Sequence, residues 1–302
     1  MTTGSELLAR ILDKTAEPRE AEILASTVSP WVLSWVPITA VLLEGAGEAA
    51  KVTHEITYYV ARDGWSVGPA DDWIRTPLAF TSAKRLAKSK GWTFPTRKMV
   101  KQIHQAADVR VAMPTFGPPR EASSTYKKSH DAIEAQRAGR AGLVSGGKKD
   151  LVLSSLLGER TTSGSPSKQI FGGAKSAAVS PEWWQGTSSP PAHDDRYVDY
   201  SEQYRPIRRD VIVDGKPMDL HDVIRSPVLA ALVSDESPPS YDPDVVLAGG
   251  SAGAGAGGGV KGGARPFAPA ATPAARGLRA GLAWGVAGLL VWGARALTRW
   301  IP

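Results

Sequence analysis

Five histidines are the side chains in this sequence that titrate near neutrality, and His130-Asp131, His193-Asp194-Asp195 and His221-Asp222 each put a carboxylate beside an imidazole. Neighbouring positions diverge along a helix or strand, so adjacency alone makes no catalytic pair. The densest cluster is His193, Asp195, Tyr197, Asp199, Tyr200 and Ser201. An imidazole among carboxylates and phenols could move a proton or ligate a metal, with His193 as the acid/base and Asp195 or Asp199 supporting it. The competing reading is a polar loop entering a strand. A second polar run is Lys148-Lys149-Asp150. Several chemistries have no motif here. There is no His-Glu-x-x-His, no Gly-x-Ser-x-Gly, and no glycine-rich loop that ends in Lys-Ser/Thr after a strand. With no cysteine, disulfides, thiolate zinc sites and thiol nucleophiles are excluded together.

The elements that must position these groups can be read from periodicity. Leu7, Leu8, Ile11 and Leu12 have helical spacing, with Ser5 as N-cap. Pro18 suits the first turn of a second helix running through Leu24. A core strand is expected over 38–43. Val52, His54, Ile56, Tyr58 and Val60 then alternate as the inward face of its hairpin partner, which makes His54 a core histidine. Short strands are expected at 65–67 and 76–80, and a helix running through Leu86. Thr96 caps a helix whose stripe is Met99, Val100, Ile103 and Ala107, with His104 exposed at its border. Further strands are expected at 109–113 and 151–153, with a weak helix over 126–140 between them. Residues 158–191 are rich in Gly, Ser, Thr and Pro and read as long loops. Asp214-Gly215 suits a hairpin turn and Asp219 caps a helix over 220–224. A last short helix opens at Pro227. Strands and helices mix without a βαβ repeat, so the fold class is α+β. It forms a single soluble domain over 1–236.

The formal charge of +6 is unevenly placed. From residue 237 onward, Lys261, Arg265, Arg276, Arg279, Arg295 and Arg299 face Asp242 and Asp244, giving 6 − 2 = +4. Residues 1–236 carry 30 basic and 28 acidic groups. The excess therefore suits lipid head groups better than a DNA-binding face, and no nucleic-acid partner is expected. Residues 237–275 read as a Gly/Ala/Pro-rich flexible linker. Residues 276–302 read as a C-terminal membrane helix around the uncharged run 280–294. That run is about 22 Å long as a helix, short of a ~30 Å hydrocarbon core. Arg276, Arg279, Arg295 and Arg299 are grouped by end rather than by face, and their stems can snorkel to make up the length. Trp284, Trp292 and Trp300 add interfacial aromatics. More cations precede the run than follow it, which puts the domain on the cytoplasmic side. The N-terminus shows no signal-peptide pattern, in keeping with that placement.

The runs Thr93-Phe94-Pro95-Thr96-Arg97-Lys98-Met99-Val100, Lys148-Lys149-Asp150 and Tyr197-Val198-Asp199-Tyr200-Ser201 resemble an uncharacterised bacterial family. Its pattern is LPTRKMV, GHKKD, YGWH and HxxxYxDYSHG in that order. The resemblance covers roughly 19–236 and implies a metal or acid/base site built on histidines, in a cell-wall context. Three of those histidines fall on Gly147, Ala174 and Glu202 here, and His193 keeps its place. The resemblance thus implies a degenerate, non-catalytic relative, because a metal site rarely survives such losses. The expected function is a membrane-tethered interaction or structural protein of the cell envelope, with a cell-wall or protein partner and no cofactor. The alternative is a lysin-type peptidoglycan hydrolase using His193, for which a divalent metal is the expected cofactor.

Overall fold

The computed structural model describes residues 1–12, 14–45, 50–236 and 241–249. Residues 237–240 and 250–275 of the expected linker, and the expected membrane run with its flanking Arg276, Arg279, Arg295, Arg299, Trp284, Trp292 and Trp300, lie outside the described residues. Among the described residues no helix is long and apolar enough to cross a membrane.

Two helices open the chain, α1 (Gly4–Ile11) and α2 (Ala16–Ala25). The hairpin β1 (Trp35–Glu44) and β2 (Lys51–Ala61) follows, then the small pair β3 (Ser66–Val67) and β4 (Ile74–Arg75). Next come α3 (Phe80–Lys90), β5 (Trp92–Thr93), α4 (Arg97–Ala106), β6 (Val109–Arg110), α5 (Ser123–Arg137) and β7 (Val144–Ser145). After these run β8 (Lys149–Leu151), β9 (Ile170–Ala174), β10 (Trp183–Gln185), β11 (Glu202–Gln203), β12 (Ile207–Arg208), β13 (Asp210–Val213) and β14 (Lys216–Asp219). Three short helices close the described chain: α6 (Leu220–Arg225), α7 (Ala230–Val233) and α8 (Pro243–Leu247). The class is α+β.

The long strand β2 organises the main antiparallel sheet. It pairs β1 along one edge, and β12 and β13 end to end along the other. Pro37 sits in β1, an edge strand, where a missing N–H is tolerated. Beneath this sheet Ile56, Tyr58, Val60, Phe94, Met99, Tyr204 and Ile207 form the main core. A second sheet, ordered β10-β9-β8-β11, carries the polar residues of interest, with β11 parallel to β8.

Several local expectations change in the structure. Thr3, not Ser5, caps α1: its Oγ accepts from Glu6 N at 3.1 Å and the Glu6 carboxylate closes a capping box. Ser5 instead hydrogen-bonds Asp72. His54 is not a core residue. The outer half of the β1–β2 hairpin projects beyond the packed layer, leaving Val52 59% exposed and His54 Nδ1 paired with Asp214 Oδ2 at 2.7 Å. His104 is the reverse case, buried rather than exposed. Because α4 packs on β1 and also on β9, the 176–183 segment closes over its polar border. There His104 Nδ1 meets Ser145 Oγ at 3.2 Å and Nε2 meets the Ala178 carbonyl at 2.8 Å. The segment read as loops over 158–191 contains β9 and β10. Composition places residues 241–249 in the linker, yet Tyr241 and Val246 of this segment join the main core.

Candidate functional site

The turn from His193 to Ser201 is fastened to its surroundings by backbone. Asp194 bridges Ser167, Asp195 N donates to the Pro166 carbonyl at 3.0 Å, and the Asp195 carbonyl accepts from Thr81 N at 3.3 Å. Asp194 Oδ1 accepts from Arg196 N and Tyr197 N, a side-chain turn that delivers Tyr197 inward. The Tyr197 ring then has His193 stacked on it at 4.4 Å and Lys168 Nζ lying 5.0 Å from its centroid.

Asp199 is the hub of this turn. Its Oδ1 accepts from Ser201 N at 2.7 Å and from Ser201 Oγ at 2.5 Å. Its Oδ2 accepts from Tyr197 OH at 3.1 Å and from Arg120 Nε and Nη2 at 2.9 and 2.8 Å. Burial works against the charged carboxylate, but the Ser201 hydrogen bonds, with Lys149 and Arg120, hold its pKa below the usual carboxylate value. Both oxygens are committed to holding the turn. Tyr200 points away from this hub. Its hydroxyl accepts from Phe116 N at 2.6 Å, and the Arg120 guanidinium lies 4.9 Å over its ring.

Of the residues picked from sequence, the structure gathers His193, Tyr197, Asp199, Ser201 and Lys149. It parts Asp195 from His193. Asp195 lies in the fields of Lys84, Asp194 and Arg196, and burial first of all raises its carboxyl pKa. His193 lies in the fields of Lys168 and Lys149, which together with burial lower its imidazole pKa. Lys148 and Asp150 enter a different buried network, beside Asp63, Arg75, Gln203 and Arg205. A cavity of ≈ 10 Å³ lies there, about the size of one water. Asp150 Oδ1 accepts from Gln203 Nε2 at 2.9 Å and Arg205 Nε at 3.3 Å. Lys148 Nζ donates to the Tyr200 carbonyl and to Ser129 Oγ. Burial, reinforced by the Arg75 charge, brings the Lys148 ammonium down to about 7.

Sequence reasoning missed three residues of the site: Arg120, Lys168 and Glu202. Glu202 stands opposite Lys149 in the parallel pairing of β11 and β8. It is fully buried, with Oε2 accepting from Lys168 Nζ at 2.5 Å. Its other oxygen, Oε1, is buried and has no hydrogen-bond partner among the described residues. Burial raises its carboxyl pKa, against the pull of Lys168. The signal for Glu202 was present in sequence, since it directly follows the Tyr197–Ser201 run. The family pattern reads that position only as a lost histidine. The other two histidine positions of that pattern are closed by packing. A Cβ on Gly147 would lie 2.9 Å from Ile133 Cδ1 and 3.0 Å from Val111 Cγ2, and Ala174 is fully buried.

A much larger space lies elsewhere. A groove of ≈ 1260 Å³ runs between α2 and α3, with Trp92, Phe94 and α8 among its lining. It reaches Arg196 but is not lined by His193, Lys149 or Glu202. Among the described residues no group of three or more His, Asp or Glu side chains is set to hold a metal ion. The chain matches no protein-family model, no curated protein and no solved structure.

Proposed function

We propose that the chain is a membrane-tethered binding protein of the cell envelope. In this reading the folded domain, including the core segment 241–249, recognises a partner and the 276–302 segment holds it to the bilayer, with the domain on the cytoplasmic side. The observation that carries the binding half is the state of Asp199. A general base or metal ligand needs a free lone pair facing a substrate, and every direction around this carboxylate is taken by Ser201, Tyr197 or Arg120. A divalent ion does not fit beside His193 either, because the ring lies in the field of two lysines and Asp199, a carboxylate acting on it, is saturated. The tethering half rests on the uncharged run 280–294 and its terminal arginines. Flotation of the full-length chain and of a chain lacking 275–302, with protease protection to fix the side, tests it. Association with membranes that survives the truncation would sink the tether.

One observation favours the envelope hydrolase instead. A carboxyl raised by burial, with a free oxygen beside two lysines, is how proton-transferring acids are kept, and Glu202 has that form. Under that reading Glu202, not Asp195 or Asp199, is the acid/base, and Lys168 links it to the Tyr197 ring on which His193 stacks. Cell-wall turnover by the full-length protein that is lost in Glu202→Gln and in His193→Ala would establish it. Absence of turnover across pH and added divalent metals supports binding.

A further inference from the structure

We infer that the groove between α2 and α3 is the partner site of this binding protein, and that its occupant is an acidic amphipathic segment of another protein. The inference rests on the binding reading above and names the partner's chemistry.

Two helix faces line the groove at helical spacing: Glu17, Glu20, Ala21 and Leu24 from α2, and Thr81, Lys84, Arg85 and Lys88 from α3. Below them the surface is apolar, with Ala87, Trp92 and Phe94 among its lining, and Leu247 of α8 also borders it. Leu24, Trp92 and Leu247 are each only partly buried. At ≈ 1260 Å³ the space exceeds the ~300–1,000 Å³ typical of small-molecule sites. Helix-lined apolar grooves of this kind receive the apolar face of a partner segment.

Charge then sets the sign of the partner. The acids at the groove are largely neutralised within the fold. Glu20 Oε1 accepts from Ala79 N at 2.6 Å and Oε2 accepts from Ser82 Oγ, so its carboxylate caps α3. Asp244 is held by His221, Arg209 and Arg225. The cations Lys84, Arg85, Lys88 and Arg196 make no ion pair with any described carboxylate, although Lys84 and Arg196 lie in the field of Asp195. Lys84 lies 5.1 Å from the Phe80 ring centroid, and Arg85 reaches only the Ser82 hydroxyl. The imbalance is written into α3, which contains two lysines and an arginine facing the groove and no acid at all. Glu17 is left as the acid without an ion pair there. A partner with apolar side chains at i, i+3 and i+4 and carboxylates flanking them complements this surface, whereas a basic or uncharged one does not.

The test uses the full chain in an uncharged maltoside detergent. It is challenged with a displayed library of random twelve-residue peptides, and enriched peptides are measured by fluorescence anisotropy. The expected result is enrichment of sequences that combine several Asp or Glu with Leu, Phe or Trp at helical spacing. Their affinity should fall at least tenfold in Arg85→Glu/Lys88→Glu, a pair of exposed positions, and again in Leu24→Arg, with unchanged melting temperature for the double variant. Enrichment of basic or neutral peptides, or no enrichment over empty micelles, overturns the proposal. So does a short-chain phosphatidylglycerol that binds the wild type and not the double variant while no peptide does, since the groove would then be a lipid site. Peptides that bind regardless of these substitutions remove the groove but leave the binding reading in place. Turnover lost in Glu202→Gln removes the binding reading whatever the groove does.

Discussion

Asp199 decides more than any other side chain how the site is understood. Its hydrogen bonds to Ser201, Tyr197 and Arg120 make it a fastener for the 193–201 turn. Asp199→Asn should therefore destabilise the domain by about 2 kcal/mol, a charged-acceptor loss discounted for the exposure of Arg120. The sign with pH follows from its lowered pKa. The stabilisation is complete above the ordinary carboxylate value of ~3.9 and is lost as pH falls through the lower native value. Urea melts of the wild type and Asp199→Asn between pH 2 and 6 should thus converge at the acid end. Lys148 predicts the opposite region. An ammonium brought down to about 7 binds fewer protons than its unfolded counterpart between there and ~10.4, so it makes stability rise with pH across that window. In Lys148→Met the rise should flatten, and a slope equal to the wild type's would show that Lys148 titrates normally. At this scale the sequence placed His193, Tyr197, Asp199 and Ser201 in one run, and the structure draws them together around Asp199 and Tyr197. The backbone ties of Asp194 to Ser167 and of Asp195 to Pro166 fix how this turn runs, contacts between segments that no local spacing announces.

Element by element, local signals were read well where the deciding atoms are local. Thr96 caps α4 through Met99 N at 3.1 Å, and Asp219 caps α6 through His221 N at 2.7 Å. Asp214 and Gly215, at φ 49° and 76°, turn β13 into β14. What failed was tertiary. The alternation of β2 gives no notice that its outer half leaves the core and carries His54 to the surface. The border of the α4 stripe likewise gives no sign that the 176–183 segment covers His104. β9 is hidden in a Gly-rich run because its two glycines read as loop, while Gly172 pairs with Lys149 of β8 and Gly173 N donates to the Lys148 carbonyl just before it. The same packing argues on the histidine pattern. Gly147→His, which restores one of its members, should cost roughly 1–3 kcal/mol or more, since any side chain there meets Ile133 and Val111. A thermal midpoint equal to the wild type's would mean that the position can open, and would reopen the case for a histidine site.

For the molecule as a whole, the proposed reading assigns one role to each region: a polar turn that stabilises, a basic-rimmed groove proposed to recognise a partner, and a tail proposed to tether. The distribution of charge was legible from sequence, because counting Lys and Arg by region needs no coordinates. The groove was not, since Leu24, Lys88, Trp92 and Leu247 are far apart in the chain and become one surface only when α2, α3 and α8 assemble. The tether is the claim on which the cellular role depends, and flotation on a density gradient tests it most directly. The full-length protein should rise with the membranes, and the chain lacking 275–302 should stay at the bottom as a cooperatively folding protein. A truncated chain that still floats would contradict the account, as would a full-length chain that does not.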